Sequence, residues 1–513
     1  MKRNLLFIIA LFMCAYVFGQ GEIDALRYAT HDLSGSARGQ AMGGAFGALG
    51  GDVTGVAINP AGVGIYRVSE IVANMSLASV NVKTDAKAGW NGTPTGLGKS
   101  KFNFDNLSYI GYYPLAKGSV NTLNFGFNYN RVKNFDRKYS ASGSNMSSSL
   151  TDYMVTLTNG FQDSYLNYNG DAPWLSVLAW EGGLINPKQG TNNEYESLLK
   201  EGETVNPKMN VTEKGCIEAY DFTIGSNISD KFFWGVAFSL TDIYYSLSSD
   251  YGEDFPGDSG FTLDNYLETN GSGYQFKAGV IVKPIDALRL GVSYHSPIWY
   301  TMTDYYFAKL TPDNIFIDNK PIGQQATPSD NWNYQFQTPY TWTFSAAAII
   351  GTHAIVSLDY ETKNYTSMYL KDRNGREYSD NKYISEDFQS ASTLRIGAEY
   401  RFTPQFSGRL GYALLQNPYD ATFKSGDKEV MTAGTVPHYT IDEDATYYTA
   451  GIGYRFTPQF YMDFAFIYRQ QDSDLYFYTP VKDIGTNTQI VHSYPASFKS
   501  RTYKGLLTLG YKF

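Results

Sequence analysis

From Ser69 onward the chain alternates apolar and polar side chains in segments of about 8–16 residues. In one of them, Leu394 and Ile396 share a face opposite to that of Arg395 and Glu399. A period of two residues predicts β-strands whose two faces meet different surroundings. The clearest examples are residues 122–130, 232–240, 394–402 and 460–469.

The connections between these segments are alternately short and long, as in bacterial outer-membrane barrels. Short turns are predicted at 114–119, 228–231, 283–286, 350–352, 403–405 and 457–459. Long loops are predicted at about 85–104, 136–217, 249–271, 300–337, 366–387, 416–445 and 472–497. This count predicts about 14 antiparallel strands. A soluble β-sandwich fits less well, because strands of ten or more residues suit a tilted membrane wall.

The stretch 33–64 is rich in Gly and Ala and ends in Asn59-Pro60-Ala61-Gly62. So many glycines disfavour isolated helices and strands but permit tight turns and close backbone contacts. We therefore interpret residues 20–67 as a small N-terminal hatch that plugs the lumen of an all-β transmembrane barrel spanning residues 68–513. The glycines expected to pack the hatch are Gly43, Gly44, Gly47, Gly50 and Gly51.

Residues 1–19 have the pattern of a secretory signal peptide, in which two basic residues precede the apolar run 5–18 and cleavage falls near Gln20. Cleavage removes Cys14 and leaves Cys216 alone, which excludes an intramolecular disulfide. The mature chain then has 39 basic and 50 acidic residues, a net charge of −11. This charge argues against a nucleic-acid partner.

The last segment, residues 503–513, alternates apolar and polar positions and closes with Phe513. It resembles the C-terminal assembly signal of bacterial outer-membrane barrels, which implies recognition by the barrel assembly machinery. A second pattern is the sequence Tyr-Arg-Phe-Thr-Pro-Gln-Phe, which occurs at 400–406 and again at 454–460. Each copy predicts a strand–turn–strand unit with its proline in the turn.

The run Gly39-Gln-Ala-Met-Gly-Gly-Ala-Phe46, followed by Gly-Gly-Asp52 and the Asn59-Pro60-Ala61-Gly62 motif, resembles the N-terminal hatch of the FadL/TodX family of outer-membrane transporters for hydrophobic molecules. The resemblance covers about 35 residues and implies a monomeric barrel plugged by this hatch. It also implies lateral exit of the ligand at a kink in the third strand. Here that strand spans about 120–135, and Gly126 is its only obvious weak point.

The function implied by this resemblance is passive diffusion of hydrophobic small molecules, similar to long-chain fatty acids, across the outer membrane. Physical reasoning supports such a route. Polar lipopolysaccharide prevents apolar molecules from entering the outer leaflet directly, so a pathway needs apolar capture outside and a removable obstruction inside.

Two groups of residues are candidates for ligand contact. The external loop 136–217 contains many apolar residues, which either capture the ligand or pack the loop onto the barrel rim. The candidates for capture are Phe161, Trp174, Leu175, Leu178 and Trp180. Three inward arginines could hold a ligand carboxylate, although such residues often pair across a lumen: Arg395, Arg401 and Arg455.

Other chemistry has little support in the sequence. The five histidines lack metal-ligand spacing, and no Gly-x-Ser-x-Gly motif occurs. We therefore expect neither an enzyme nor a metal or other cofactor. The alternatives are a surface-exposed adhesin or structural barrel, uptake of another apolar ligand such as a porphyrin, and a general polar porin.

Overall fold

The computed structural model describes residues 21–115, 119–426, 428–483 and 488–513. The predicted signal peptide of residues 1–19 lies outside these ranges. Within the described residues, fourteen antiparallel strands form one closed barrel, which confirms the predicted fold class. Strand β1 pairs with both β2 and β14, and the pairing from Glu70↔Lys512 to Asp85↔Ser497 closes the wall.

The barrel strands are β1 Glu70–Asp85, β2 Thr95–Gly111, β3 Val120–Asn134, β4 Asn206–Ile228, β5 Phe232–Phe255, β6 Ser259–Ile285, β7 Leu288–His295, β8 Thr341–Ile350, β9 Ala354–Asn364, β10 Ser390–Arg401, β11 Phe406–Leu415, β12 Tyr439–Arg455, β13 Phe460–Tyr476 and β14 Ala496–Lys512. Each predicted short turn falls at the junction of two consecutive strands of this set, although β6 continues to Ile285, into the turn predicted at 283–286. Residues 116–118 of the first predicted turn lie outside the described residues.

The wall is apolar outside and polar inside. On β3, Asn124 and Asn128 are buried toward the lumen, whereas Phe125 is 49% exposed on the outer surface. Strand β10 repeats the pattern with exposed Ile396 and buried Glu399. A water-soluble sheet would bury the aromatic face, so this distribution is typical of a wall surrounded by lipid.

Several of the predicted long loops are wrong in extent, because barrel strands reach into them. Residues 249–271 are strand rather than loop, because β5 continues to Phe255 and β6 starts at Ser259. Their alternation continues beyond the membrane, where the buried face covers an extracellular core instead of lining the lumen. The first long loop is also shorter than predicted, since β2 already begins at Thr95. The predicted loops 136–217 and 416–445 are shorter as well, because β4 begins at Asn206 and β12 at Tyr439.

The remaining elements lie before β1 or in the long connections. The α-helices are α1 Glu22–Ala29, α2 Ala37–Ala41, α3 Val53–Ile58, α4 Leu150–Thr158, α5 Trp174–Glu181, α6 Asn381–Asp387 and α7 Ala421–Lys424. The 3₁₀ turns are Pro60–Ile65, Asp163–Tyr165 and Tyr365–Ser367. The additional strands are Arg137–Ser142, Ile185–Pro187, Tyr195–Ser197, Trp299–Asp313, Phe316–Ile317, Lys320–Pro321, Gln325–Ala326, Asp330–Gln337, Tyr369–Asp372, Val481–Lys482 and Gln489–Val491.

The largest hydrophobic core lies at the extracellular end, where the loops pack on α1 and on the extended strands β5 and β6. Its fully buried members include Leu178, Tyr245 and Met302. Among the residues described, no helix has both the length and the apolar character needed to span a membrane. Because this core joins residues from several loops, the extracellular loops form a packed cap on the barrel.

Candidate functional site

The N-terminal segment, residues 21–69, runs through the lumen from the extracellular end to the periplasmic end. Near its start, Gly21 packs against Met431 of the β11–β12 connection, and Tyr28 Oη donates to Thr269 Oγ1 on β6 at 2.9 Å. Near its end, the carbonyl of Tyr66 accepts from Asn124 Nδ2 on β3 at 3.2 Å. The segment then continues directly into β1.

Local hydrogen bonds fold this segment into a compact unit. Ser36 caps α2 and Asp52 caps α3, and Ser36 Oγ donates to Asp52 Oδ1 at 2.7 Å. The amide of Ser36 donates to Thr54 Oγ1 at 2.9 Å, so the N-terminal ends of α2 and α3 are hydrogen-bonded to each other. A side chain at Gly39 would put its Cβ 2.1 Å from Thr54 Oγ1, which explains a glycine at this close approach.

The predicted motif residue Asn59 fixes the lower part of the segment to the wall. Its side chain is buried, and Nδ2 donates to the carbonyls of Gly47 at 2.9 Å and Val280 on β6 at 3.2 Å. Its Oδ1 accepts from the amide of Ala61 at 3.1 Å and caps the 3₁₀ turn that contains the rest of the motif. One amide side chain therefore joins two parts of the segment and the barrel.

The predicted hatch glycines occupy tight positions. Gly43, Gly44, Gly50 and Gly51 have φ values of +65°, +77°, +56° and +64°, a region that favours glycine. The amides of Phe46 and Gly47 both donate to Asp359 Oδ2 on β9, at 3.0 and 2.9 Å. A glycine of the wall also lets the two backbones come close, since a Cβ at Gly411 would lie 2.0 Å from the Gly43 amide nitrogen.

A buried chain of ion pairs joins the segment to the wall on the β10–β13 side. Arg38 of the segment donates to both carboxylate oxygens of Glu399, at 2.8 and 2.9 Å. Arg409 donates to Glu399 at 2.6 Å and to Asp463 at 2.6 Å. Burying a charge costs less free energy when an opposite charge and hydrogen-bond partners surround it than when it is buried alone. The segment therefore meets the wall through ions as well as through close backbone contacts.

Above this level the lumen contains a cavity of about 400 Å³. One side is formed by the N-terminal segment, including Leu26, His31 and Leu33, and the other by inward residues of the wall. Its lining combines apolar surface, such as Ile467, with charged groups such as Arg395. A molecule with an apolar body and a polar head could therefore find both kinds of contact.

Of the three predicted inward arginines, only Arg395 lines this cavity. Its Nη2 donates to Glu361 Oε2 at 2.7 Å, and Lys363 lies 3.0 Å from the same carboxylate. The buried Nη1 of Arg395 has no hydrogen-bond partner among the described residues. Arg401 and Arg455 lie instead at the periplasmic ends of β10 and β12, where both are exposed.

His31 is a cavity residue that sequence reasoning missed. Burial, together with the nearby Lys363 and Lys133 charges, lowers the pKa of His31 to about 3, so its imidazole is neutral at physiological pH. Within the described structure its buried Nε2 has no hydrogen-bond partner. Nothing in the sequence around His31 distinguishes it, because its surroundings come from strands more than a hundred residues away.

The backbone ladder of the barrel wall is interrupted between β2 and β3, and we call this interruption the window. Their pairing runs only from Gly111↔Phe125 to Asn106↔Asn130, on the periplasmic side. In the described chain, no backbone pairing joins the remainder of β2, residues 95–105, to β3. Asn103, Asp105, Asn130 and Arg131 at the window's edges also line the cavity.

Side chains bridge this window. Lys99 Nζ and Lys101 Nζ each lie 2.6 Å from a carboxylate oxygen of Asp136, which follows β3 and is buried. Below them, Arg131 Nη1 donates to Asn103 Oδ1 at 2.8 Å. The predicted weak point, Gly126, lies below the window in the paired part of β3, and the ladder between β3 and β4 is irregular at Arg131/Lys133.

The external-loop residues divide into two groups. Leu175 and Leu178 are buried in the extracellular core, where they hold α5 in place. Trp180 packs edge-on against Tyr195, with ring centroids 5.8 Å apart. Phe161 and Trp174 are only half-buried.

Three comparisons relate this chain to known proteins. The family model described as outer membrane protein transport protein (OMPP1/FadL/TodX) matches residues 252–476, which confirms the resemblance to the FadL/TodX family. Outer membrane protein P1 of Haemophilus influenzae is 23% identical over 246 residues, 47% of each chain. The alignment thus spans about half the length of this relative.

Solved structures with a similar fold include a FadL homologue of Pseudomonas aeruginosa, at a TM-score of 0.52 and 12% identity, over 94% of this chain and 100% of that chain. The toluene transporter TodX of P. putida has a TM-score of 0.51 and 11% identity, over 94% and 99% of the two chains. The matched family is one of transport proteins, not of enzymes. Family match and fold together confirm the predicted outer-membrane location.

Proposed function

We propose that this outer-membrane barrel, which resembles the FadL/TodX family, carries hydrophobic small molecules across the outer membrane by passive diffusion. The observation that carries the proposal is the combination of a blocked lumen with a window in the wall beside the cavity. A molecule in the cavity meets the N-terminal segment below it, whereas β2 and β3 are unpaired at its side.

The N-terminal segment acts as the plug in this proposal. Asn59, the Arg38–Glu399 ion pair and Asp359 hold it at three places around the lumen. A polar solute would need all of these contacts to break before it could pass straight through. This argues against a general polar porin, whose lumen must remain open to water.

The exit in this proposal is the window. Its upper position places it in the outer-leaflet half of the wall, because the paired part of β2 and β3 lies toward the periplasmic turn. An apolar molecule that leaves sideways enters lipid directly and never contacts the aqueous periplasm, which favours lateral movement over axial movement. The side-chain bridges from Lys99 and Lys101 to Asp136 must separate for the molecule to pass.

The ligand class that fits the cavity best is an amphiphile with an acidic head, such as a long-chain fatty acid. Arg395 Nη1 and neutral His31 Nε2 are buried polar atoms available to such a head group. A buried cation that gains a carboxylate partner is stabilised by a charge-assisted hydrogen bond. Partly exposed Phe161 and Trp174 on the cap are the candidates for initial capture.

An adhesin is the second candidate, and one observation favours it. The hairpin of Phe316–Ile317 and Lys320–Pro321 projects from the cap with Phe316 57% and Ile317 50% exposed. Such exposed apolar side chains at a hairpin tip suit contact with another macromolecule. Replacing both with Ser would abolish adhesion but leave uptake unchanged if the two activities are separate.

The test of transport is uptake of a labelled long-chain fatty acid by cells with and without this protein, with a small polar solute in parallel. A selective gain for the fatty acid supports the proposal, and an Arg395→Gln variant should then show weaker saturation by fatty acid but not by an uncharged hydrocarbon. A gain for the polar solute alone indicates a porin. No gain for any apolar compound contradicts the proposal.

A further inference from the structure

An outward-facing row of tyrosines marks the extracellular edge of the membrane on β11–β14. Tyr412, Tyr448, Tyr468 and Tyr503 are directly opposite one another across these strands. Neighbouring ring centroids are 5.5, 6.3 and 5.2 Å apart. Tyrosines concentrate where the apolar core of a bilayer meets its polar layer. We therefore take this row as the upper boundary of the lipid-facing band.

The height of the band agrees with this assignment. Tyr503 and Tyr511 face outward at the two ends of β14 and are 43% and 48% exposed. Their separation of eight positions corresponds to about 27 Å of strand at ~3.4 Å per residue. A tilt of about 40° reduces this to a height of about 21 Å, near the ~25 Å expected for the apolar band of such barrels.

Three basic residues lie just above the tyrosine row on its β14–β1 side. Arg501 and Lys499 lie above Tyr503 on the outer face of β14, about 5 and 10 Å higher for the same strand rise and tilt. Lys83 on β1 lies directly opposite Lys499 in the ladder. We call these three residues the basic patch. On β5, by contrast, the exposed residue that follows outward-facing Leu240 is acidic Asp242.

The pairing of Lys83 with Lys499 is unfavourable by itself. Residues directly opposite in an antiparallel pair have Cβ atoms about 4.5–5.5 Å apart, and like charges there repel each other. Lys83 has an ion pair with Asp85 at 3.1 Å, and Arg501 has one with Asp472 at 2.7 Å. Both pairs are partly exposed, so water screens them. Lys499 lies directly opposite Asp472 in its other ladder, but that carboxylate pairs with Arg501, and Lys499 itself forms no ion pair within the described residues.

We propose that the basic patch binds the phosphate groups of lipopolysaccharide in the outer leaflet. A phosphate between Lys83 and Lys499 would replace their repulsion with charge-assisted hydrogen bonds. Arg501 is already held by its own contacts, since Nη1 donates to the carbonyls of Gln471 and Ser500. The patch thus combines the charge, the height and the outward direction that a phosphorylated glycolipid requires. It depends on the outer-membrane location and not on the transported molecule.

The test is native mass spectrometry of the full-length mature protein in detergent, titrated with lipid A that carries two phosphates. The patch variant combines Lys83→Gln, Lys499→Gln and Arg501→Gln. The control variant, with Lys188→Gln, Lys208→Gln and Lys309→Gln, removes the same charge from loops and strand extensions beyond the membrane. Each basic residue near a charged lipid surface changes the affinity about fivefold, so the patch variant should bind about 100-fold more weakly.

The control variant should bind lipid A as the wild type does, and lipid A without phosphates should bind both variants and the wild type equally weakly. Equal affinity of patch variant and wild type for phosphorylated lipid A would overturn the proposal. Displacement of lipid A by millimolar inorganic phosphate would also overturn it, because the patch would then be a simple anion site. A heat-induced mobility shift on gel electrophoresis verifies that every variant has a folded barrel.

Discussion

Replacing Asn59 with Ala should release the lower part of the N-terminal segment without disturbing the barrel. The substitution removes the hydrogen bonds that Nδ2 donates to the carbonyls of Gly47 and Val280, a longer one to Val292 at 3.5 Å, and the cap on the Ala61 amide. Each buried hydrogen bond contributes about 1 kcal/mol, and a lost cap costs a similar amount. The combined loss of about 3 kcal/mol corresponds to a roughly 100-fold rise in the population of displaced segment.

The assay is ion current through single barrels in a planar bilayer. We expect the fraction of time spent in a conducting state to rise about 100-fold in Asn59→Ala. Asn59→Asp retains the acceptor for Ala61 but turns a carboxylate toward the carbonyls of Gly47 and Val280, so it should leak at least as much. The unfolding temperature of the barrel should not change, because Asn59 lies outside the strands.

Conductance of both variants within twofold of the wild type, with the barrel still folded, would contradict this prediction. That result would mean that the contacts of Asn59 do not determine where the segment lies. Leakage in Asn59→Ala combined with a large fall in barrel stability would contradict the prediction in a different way. It would show that the segment supports the wall instead of closing a preformed lumen.

Three further predictions concern the window, the wall and the cap. Asp136→Asn weakens both lysine bridges and should raise the initial rate of fatty-acid uptake several-fold, whereas an unchanged rate would show that the bridges do not limit exit. Gly411→Val places side-chain atoms where the segment's backbone passes and should increase conductance. Gly505→Ala should not, because its added Cβ would make only ordinary van der Waals contact with the Phe464 ring at 3.7 Å. Burial raises the pKa of Glu22 to about 8, and the amide of Met431 donates to its Oε1 at 3.1 Å. An exposed carboxyl has a pKa near 4.5, so docking of α1 should weaken as the pH rises from about 4.5 to 8 and should not change further above pH 8. The rate at which an Ala25→Cys side chain is alkylated measures how often α1 undocks. This rate should depend on pH in the wild-type background and not in Glu22→Gln.

Much of the barrel could be predicted because its physics is local. The alternation of apolar and polar side chains along each strand indicates which face meets lipid and which meets the lumen, and the turns have sequence signals of their own. The two copies of the repeated heptapeptide behave alike, since Thr403 and Thr457 both accept at 2.9 Å from the amide three residues later. The lengths of β5 and β6 were not predictable, because alternation alone does not distinguish a lipid-facing strand from one that covers an extracellular core.

The candidate site was less accessible from the sequence. Arg395, Arg401 and Arg455 all alternate with apolar neighbours, yet only Arg395 lies at the height of the cavity, and the other two end at the periplasmic rim. Strand tilt and stagger determine that height, and neither is encoded in local spacing. The window also escaped prediction, because it results from a missing partner along β2 rather than from a weak residue such as Gly126.

The most direct test of the lateral route is to lock the window covalently. In a Cys216→Ser background, Lys101→Cys and Asp136→Cys would be joined by a short cysteine-reactive cross-linker, with Lys208→Cys and Asp254→Cys as a control pair on the extended strands. We predict that linkage across the window abolishes fatty-acid uptake, that reversal of the link restores it, and that the control link has no effect. Undiminished uptake through a fully linked window would contradict lateral exit.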